Sequence, residues 1–386
     1  MHYFQQRYLR ENRAFAALAG LETIDLPNKG LLSGLELRVW GLCGAGTTLP
    51  DVWLHDRITR VEVIVNGSQV VKSYDARQLL AMMLYKRTPH YSHDMKNMAS
   101  ASCEEVFYIN FGRHYHDLEY MLDLGQVNDP ELRITHNFGL AAAEGWTNGV
   151  AMAVIPQYSV IPHILRDPAI TPKGYIKTSE IYRFPQLANR QENMIIPRGP
   201  TYSNLYLQSW YQGLGWGNVL DHYEVNINSD DIIPIRSQLL ELLTQNIRMY
   251  GLMEMTQKFY GLGNQMYPWP LEVGNANGEI GAGFADLEFM EFDLWGLAQP
   301  VGLRTVTTGA QVAGNPLIRS TIRGAAPFAV LAIPLFDPWD ESTWSKTAEL
   351  GDFWVRVELG PGAAAPGVIK LLGDEVVTRY VTPSWP

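Results

Sequence analysis

Between residues 58 and 83 the hydrophobic pattern changes period once. Val61, Val63 and Val65 alternate with Arg60, Glu62 and Ile64, which sends the valines to one face of a strand at period two. Asn66-Gly67 follows, a pair that tolerates positive φ at both central positions of a tight turn, and SQVVKSY then returns as the second arm of a hairpin. From Asp75 the period becomes helical: Ala76, Leu79, Leu80 and Met83 recur at i, i+3, i+4 and i+7, with Asp75 placed to cap and Gln78 three residues on. Farther along, VFYINF (106–111), ELRITHNF (131–138) and GVAMAVIPQY (149–158) are apolar or alternating runs bounded by turn residues, and they predict strands.

The same order is written twice. LPNKGLLSGLELRVW (26–40) and IPRGPTYSNLYLQSW (196–210) share Pro27/Pro197, Ser33/Ser203, Leu35/Leu205, Leu37/Leu207 and Trp40/Trp210, where average composition supplies roughly one chance identity. EVIVNGSQVV (62–71) aligns with EVNINSDDII (224–233), and Gln78-Leu79-Leu80 with Gln238-Leu239-Leu240. FGLAAAEG (138–145) meets GPGAAAPG (360–367), and Val154 and Tyr158 meet Val376 and Tyr380. The offset falls from 170 (26 against 196) to 160 (78 against 238), then jumps to 222 (138 against 360). About 60 extra residues therefore lie within 251–329, a stretch containing YPWP, NANGEIGAGFAD and TVTTGAQVAGNP, as a long structured loop would.

Many short strands, one helix per half and no regular strand–helix alternation predict an all-β chain of two tandem eight-stranded jelly-roll β-sandwiches, with short helices and a long insertion in the second. The expected organisation is an N-terminal arm at 1–20, a first roll at 21–160, an extended connector at 161–193 holding Pro162, Pro168, Pro172 and Pro185, and a second roll at 194–386. A length of 386 residues suits two domains, and 46% hydrophobic against 18% charged residues is enough apolar matter for two cores. A formal charge of −10 argues against a broad phosphate-binding face, so no direct sequence-specific nucleic-acid binding is expected. Cys43 and Cys103 form neither a disulfide framework nor a metal knuckle, and are expected as buried thiols. With no apolar signal-peptide core and no run long enough to span a bilayer, synthesis in the cytoplasm and no integral membrane segment are expected.

Candidate chemistry is sparse. His114, His116 and Glu119 in GRHYHDLEYMLDLG resemble the His-x-His and Glu of cupins, which hold a metal, although the glutamate stands too close and the aligned LFDPWDESTW has no histidine pair. The competing reading is a polar turn with hydrogen-bonded histidines. His90 and His93 read as a solvated loop, and Asp230-Asp231 and Asp337 with Asp340 as turns. Tyr267 and Trp269 of the insertion present a sugar-stacking platform on one reading and loop packing or a subunit contact on the other. No nucleophile elbow, HExxH or Walker loop occurs, so no catalytic, cofactor or metal residues are assigned. In the N-terminal arm, Arg7, Arg10 and Arg13 are basic, and Phe4, Tyr8, Phe15 and Leu18 predict one side of a helix ending at Gly20. It would pack on its own domain, or reach a membrane or a neighbouring subunit.

Two tandem repeats carrying RITRVEVIVNGSQVVKSYDARQLLAMMLY and INFGRHYHDLEYMLDLGQVNDPELRIT resemble the double jelly-roll major capsid proteins of tailless icosahedral bacteriophages and their adenovirus-type relatives. The resemblance runs from about residue 21 to the C-terminus and implies a structural protein, not an enzyme. It implies a homotrimer whose six barrels form a pseudo-hexameric capsomer, and a place in the virion shell. Partners would be other copies, other capsid or vertex proteins and, through the arm, an internal membrane; the insertion would form the outer surface. A bicupin-like metalloenzyme using His114, His116 and Glu119 and a tandem carbohydrate-binding sandwich are the alternatives.

Overall fold

The computed structural model describes residues 3–42, 54–88, 93–95, 102–139, 155–167, 169–210, 216–229, 231–251, 253–260, 275–282, 289–295, 317–363 and 367–378. Alternation decides which side chains go inward. In strand Leu31–Leu42 the residues Leu35, Leu37 and Val39 are buried, and in Thr201–Trp210 their counterparts Leu205 and Leu207 are buried too. Val61, Val63 and Val65 line the same first core from strand Ile58–Val65. Two clusters of buried apolar residues result, one drawn chiefly from each half of the chain.

Each half builds two facing sheets. In the first, Tyr3–Gln6 and Arg10–Ala14 form an interrupted edge, followed by Gln157–Arg166, Leu31–Leu42 and Ser102–Asn110. The opposite sheet runs Ala19–Asp25, Glu131–Asn137, Ile58–Val65, Gln69–Tyr74. The second half repeats this order with Tyr175–Pro185, Val368–Val377, Thr201–Trp210 and Val330–Ala332, against Gln191–Ile195, Phe353–Leu359, Leu220–Ile227 and Ile232–Gln238. In both halves the first strand lies beside the last, the pairing that Greek-key connections give a jelly roll.

Local chemistry repeats with the topology. Asn66 and Gly67 take φ of 54° and 77°; Asn228 and Ser229 take 56° and 55°. Both turns thus need positive φ at both central positions, and the second manages without glycine because Asp352 accepts hydrogen bonds from the Ser229 N–H at 2.6 Å and Oγ at 2.7 Å. Helix Ala76–Tyr85 opens on Asp75, whose Oδ1 accepts from the Gln78 N–H at 2.7 Å while Gln78 Oε1 accepts from the Asp75 N–H at 2.9 Å. Helix Leu239–Tyr250 opens on Gln238, whose N–H donates to Glu241 Oε2 at 2.9 Å. Among the described residues no helix is long and apolar enough to cross a membrane.

The two rolls are not beads on a string. Strand Tyr175–Pro185 pairs in parallel with Gln69–Tyr74 at Thr178 and Lys72, so one sheet runs from the first roll into the second. A second parallel contact joins His93–Met95 to Met253–Tyr260, a strand of the insertion that continues through Leu317–Gly324, Asn275–Ala282 and Phe289–Trp295.

Three expectations change. The N-terminal arm is not a helix: although its residues tolerate one, pairing with the open edge of Gln157–Arg166 and burial of Phe15 against His136, Phe138 and Tyr158 override that propensity. The span 161–193 is largely strand, with Gln157–Arg166 closing the first roll and Tyr175–Pro185 opening the second, which confines the connection between them to 167–174. The Tyr158/Tyr380 pairing does not hold either. His163 and Asp374 occupy equivalent places in the closing strands, which sets that offset at 211 (163 against 374); Val154 and Tyr380 themselves lie outside the described residues.

Candidate functional site

The densest polar chemistry lies where the rolls meet. Lys72 points out of strand Gln69–Tyr74, Lys86 follows the end of helix Ala76–Tyr85, and both are buried against the second roll. Lys72 Nζ donates to Thr178 Oγ1 at 2.9 Å, Thr178 Oγ1 donates to Asp374 Oδ1 at 2.5 Å, and Lys86 Nζ lies 2.9 Å from Asp374 Oδ2. Tyr206 also donates to Asp374 Oδ2, at 3.2 Å. Burial and the neighbouring Lys86 charge push the Lys72 amine well below its ordinary range. Burial alone would raise Asp374, but Lys86 and Lys72 outweigh it and hold the carboxyl below its usual range. Around this cluster Lys370 Nζ pairs with Asp75 Oδ2 at 2.7 Å, Gln78 Nε2 donates to Gln208 Oε1 at 2.8 Å, and Tyr85 OH lies 2.8 Å from the Val330 carbonyl. The first helix is thereby wedged between the rolls.

The loop Gly112–Tyr120 does not gather its candidate ligands. His114 Nδ1 sits 3.0 Å from its neighbour's carbonyl at Tyr115, while Glu119 accepts from Arg113 at 2.6 Å and pairs with Lys173 at 3.4 Å. His116 turns elsewhere: it stacks on Phe4 and Tyr115 with centroids 3.7 Å and 3.8 Å apart, and its Nε2 lies 3.0 Å from His163 Nδ1. Burial and His163 push its pKa down to about 4, so it is neutral at pH 7. The residue His-x-His reasoning passed over, Arg113, organises the loop. Its guanidinium grips both oxygens of Asp117 at 2.7 and 3.0 Å and lies 3.5 Å from Glu341 of the second roll, which Lys173 also meets at 2.7 Å. This too fastens one roll to the other.

A third cluster gave no sequence signal. His55 Nδ1 lies 2.8 Å from Glu105 Oε1, Asp56 pairs with Arg77, and the four side chains are withdrawn from solvent in the first roll. Burial would lower His55, but Glu105 and Asp56 raise it above its ordinary value; burial raises Glu105. Among the described residues no three His, Cys, Asp or Glu side chains are grouped as metal ligands. Asp337 and Asp340 act as turn caps, each accepting a backbone N–H two residues on at 2.9 Å, and Cys103 is buried. His90, Asp230, Cys43, Tyr267 and Trp269 lie outside the described residues, and of His93 only the backbone is described.

No protein-family model matches the chain, and no curated protein matches it in sequence. Solved structures do match. The STIV major capsid protein superposes with a TM-score of 0.60 at 10% identity over 100% of both chains. A chain of the atomic structure of Sulfolobus Turreted Icosahedral Virus gives 0.57 at 10% identity over 98% of this chain and 91% of its own. PBCV-1 VP54, as fitted into a cryo-EM reconstruction of the virophage Sputnik, gives 0.54 at 9% identity over 98% and 95%. At such identities what is shared is the fold, two jelly rolls in tandem over the full chain.

Proposed function

We propose that this chain, which has the double jelly-roll fold of viral major capsid proteins, builds an icosahedral virion shell by closing three copies into a pseudo-hexameric capsomer. The supporting observation is the repetition of strand order in the two halves together with the sheet that runs from one roll into the other. A unit with two similar barrels, taken three times, offers six similar sides to six neighbours, which three single barrels cannot. The buried Lys72–Asp374–Lys86 cluster fits this reading, because a shell tile needs its two barrels held at a fixed angle. The insertion supplies the loop-rich outer surface. The N-terminal strand serves as a contact to a neighbouring subunit in preference to a membrane, since its backbone is already committed to the first roll.

Light scattering on the eluting protein tests this. Three chains of 43.5 kDa each give a particle of about 130 kDa; a monodisperse monomer at high concentration contradicts the proposal. The metalloenzyme reading is not favoured, because His114, His116 and Glu119 face different partners.

A further inference from the structure

The two rolls correspond strand by strand, yet one face is covered in the first and bare in the second. Val63 stands opposite Lys72 as Val225 stands opposite Ile235, so Lys72 and Ile235 correspond. The helix starts, Asp75 and Gln238, make Tyr85 correspond to Arg248 and Lys86 to Met249. Nine of the ten residues of helix Ala76–Tyr85 are buried, the second roll lying across it. In helix Leu239–Tyr250 only Leu242, Leu243 and Asn246 are buried, Leu240 is 59% exposed, and in the adjoining edge strand Ile232 is 51% exposed. Among the described strands, Ile232–Gln238 is an outer edge of its sheet.

The element that covers the first roll has its own bare counterpart. Thr178 and Asn204 both lie opposite Asp374, as Gln6 and Gly34 both lie opposite His163, so strand Tyr3–Gln6 corresponds to the start of Tyr175–Pro185. Tyr175 is buried at 2% exposure beside Gln69; its counterpart Tyr3 is 56% exposed.

Building on the trimer reading, we infer that a second copy docks its Tyr3–Gln6 edge, with His163 behind it, on the Ile232–Gln238 edge and helix Leu239–Tyr250, reproducing between copies the junction seen within one. Transposing the internal contacts gives complementary partners. Gln78 with Gln208 becomes Glu241 with Arg38 of the neighbour, and Tyr85 with Tyr206 becomes Arg248 with the neighbour's Glu36. Lys72 and Lys86 around Asp374 become Ile235 and Met249 against the Phe4–His116 stack that covers the buried His163. Ile235 and Met249 line a surface cavity of about 490 Å³ with Arg248, Pro334 and Trp339. The contact is therefore apolar and imidazole-lined where the internal one is ionic, and each copy uses two different faces, the head-to-tail arrangement that closes rings.

Cysteines test the register. In a Cys43→Ser, Cys103→Ser background, Gln6→Cys with Ile235→Cys places two thiols where Thr178 and Lys72 pair within one chain, near enough for a disulfide. Oxidation is expected to give covalent dimers and trimers on a non-reducing gel, absent from either single variant. Independently, Arg248→Glu is expected to raise the concentration at which the trimer half-dissociates by about tenfold or more, and adding Glu36→Arg to recover most of that loss. A trimer by light scattering that neither cross-links nor responds to Arg248→Glu overturns this interface while leaving the trimer standing; a monomer overturns both.

Discussion

Asp374 illustrates how one carboxylate can fix the relation of two domains. It neutralises Lys86, receives Thr178 and Tyr206, and shares its charge with Lys72, all out of water. Removing it leaves two buried amines without a counter-charge, so Asp374→Ala is expected to cost roughly 3–5 kcal/mol in urea unfolding. Lys72→Met is expected to stay within about 1 kcal/mol of the parent, since it removes a buried amine whose charged form is already disfavoured. The pH dependence follows in sign. The Asp374 pKa is depressed in the fold, so its contribution is full above its ordinary value of 3.8 and is lost as pH falls through the folded value. His116 is depressed to about 4 from 6.5, so the folded form binds fewer protons in that window. The Phe4–His116 stack should weaken as pH drops from 6.5 toward 4, before Asp374 titrates; amide exchange of the N-terminal strand across that range checks the order. Little of this cluster was legible in the sequence. Lys72 inside QVVKSY looks like an ordinary outward strand residue, and its partner lies about 300 positions along the chain. His114, His116 and Glu119 were legible as unusual, but spacing alone cannot tell a ligand from a stacked ring.

At the level of elements, the repeat was read in phase in its opening strand and hairpin, slightly out of phase in its helix, and eleven residues out of phase in its closing strand. The Gln-Leu-Leu match sets Gln78 against Gln238, whereas the helix starts set Asp75 against Gln238, three residues away. A shift of three residues, close to one turn, keeps the same helix face inward, so leucine pairs match at either register. The buried equivalents are Leu79 with Leu242 and Leu80 with Leu243. The arm was misread because its composition favours a helix and only the neighbouring open strand edge decides otherwise. The cap and the turn give two tests. Asp75→Ala removes the Gln78 cap and the Lys370 ion pair together, and should lose about 1–2 kcal/mol, more than Lys370→Ala does. Gly67→Val places a β-branched residue at φ 77° and should destabilise by at least about 1 kcal/mol, with hairpin amides exchanging faster.

Across the whole molecule, the two jelly rolls were legible because a duplicated pattern carries its own control. What the sequence could not carry was how the rolls touch, since contacts such as Lys72–Thr178 and Arg113–Glu341 obey no local period. Those contacts join the two rolls through ion pairs and one shared sheet. Under the proposed capsid role, 40 acidic against 30 basic residues would suit a shell that encloses a genome without gripping it. The central claim is therefore geometrical, and negative-stain electron microscopy of the purified protein tests it most directly. Class averages with a hexagonal outline and three-fold symmetry, six similar lobes around a centre, are the predicted result; particles showing only isolated two-lobed chains at concentrations well above micromolar would contradict it.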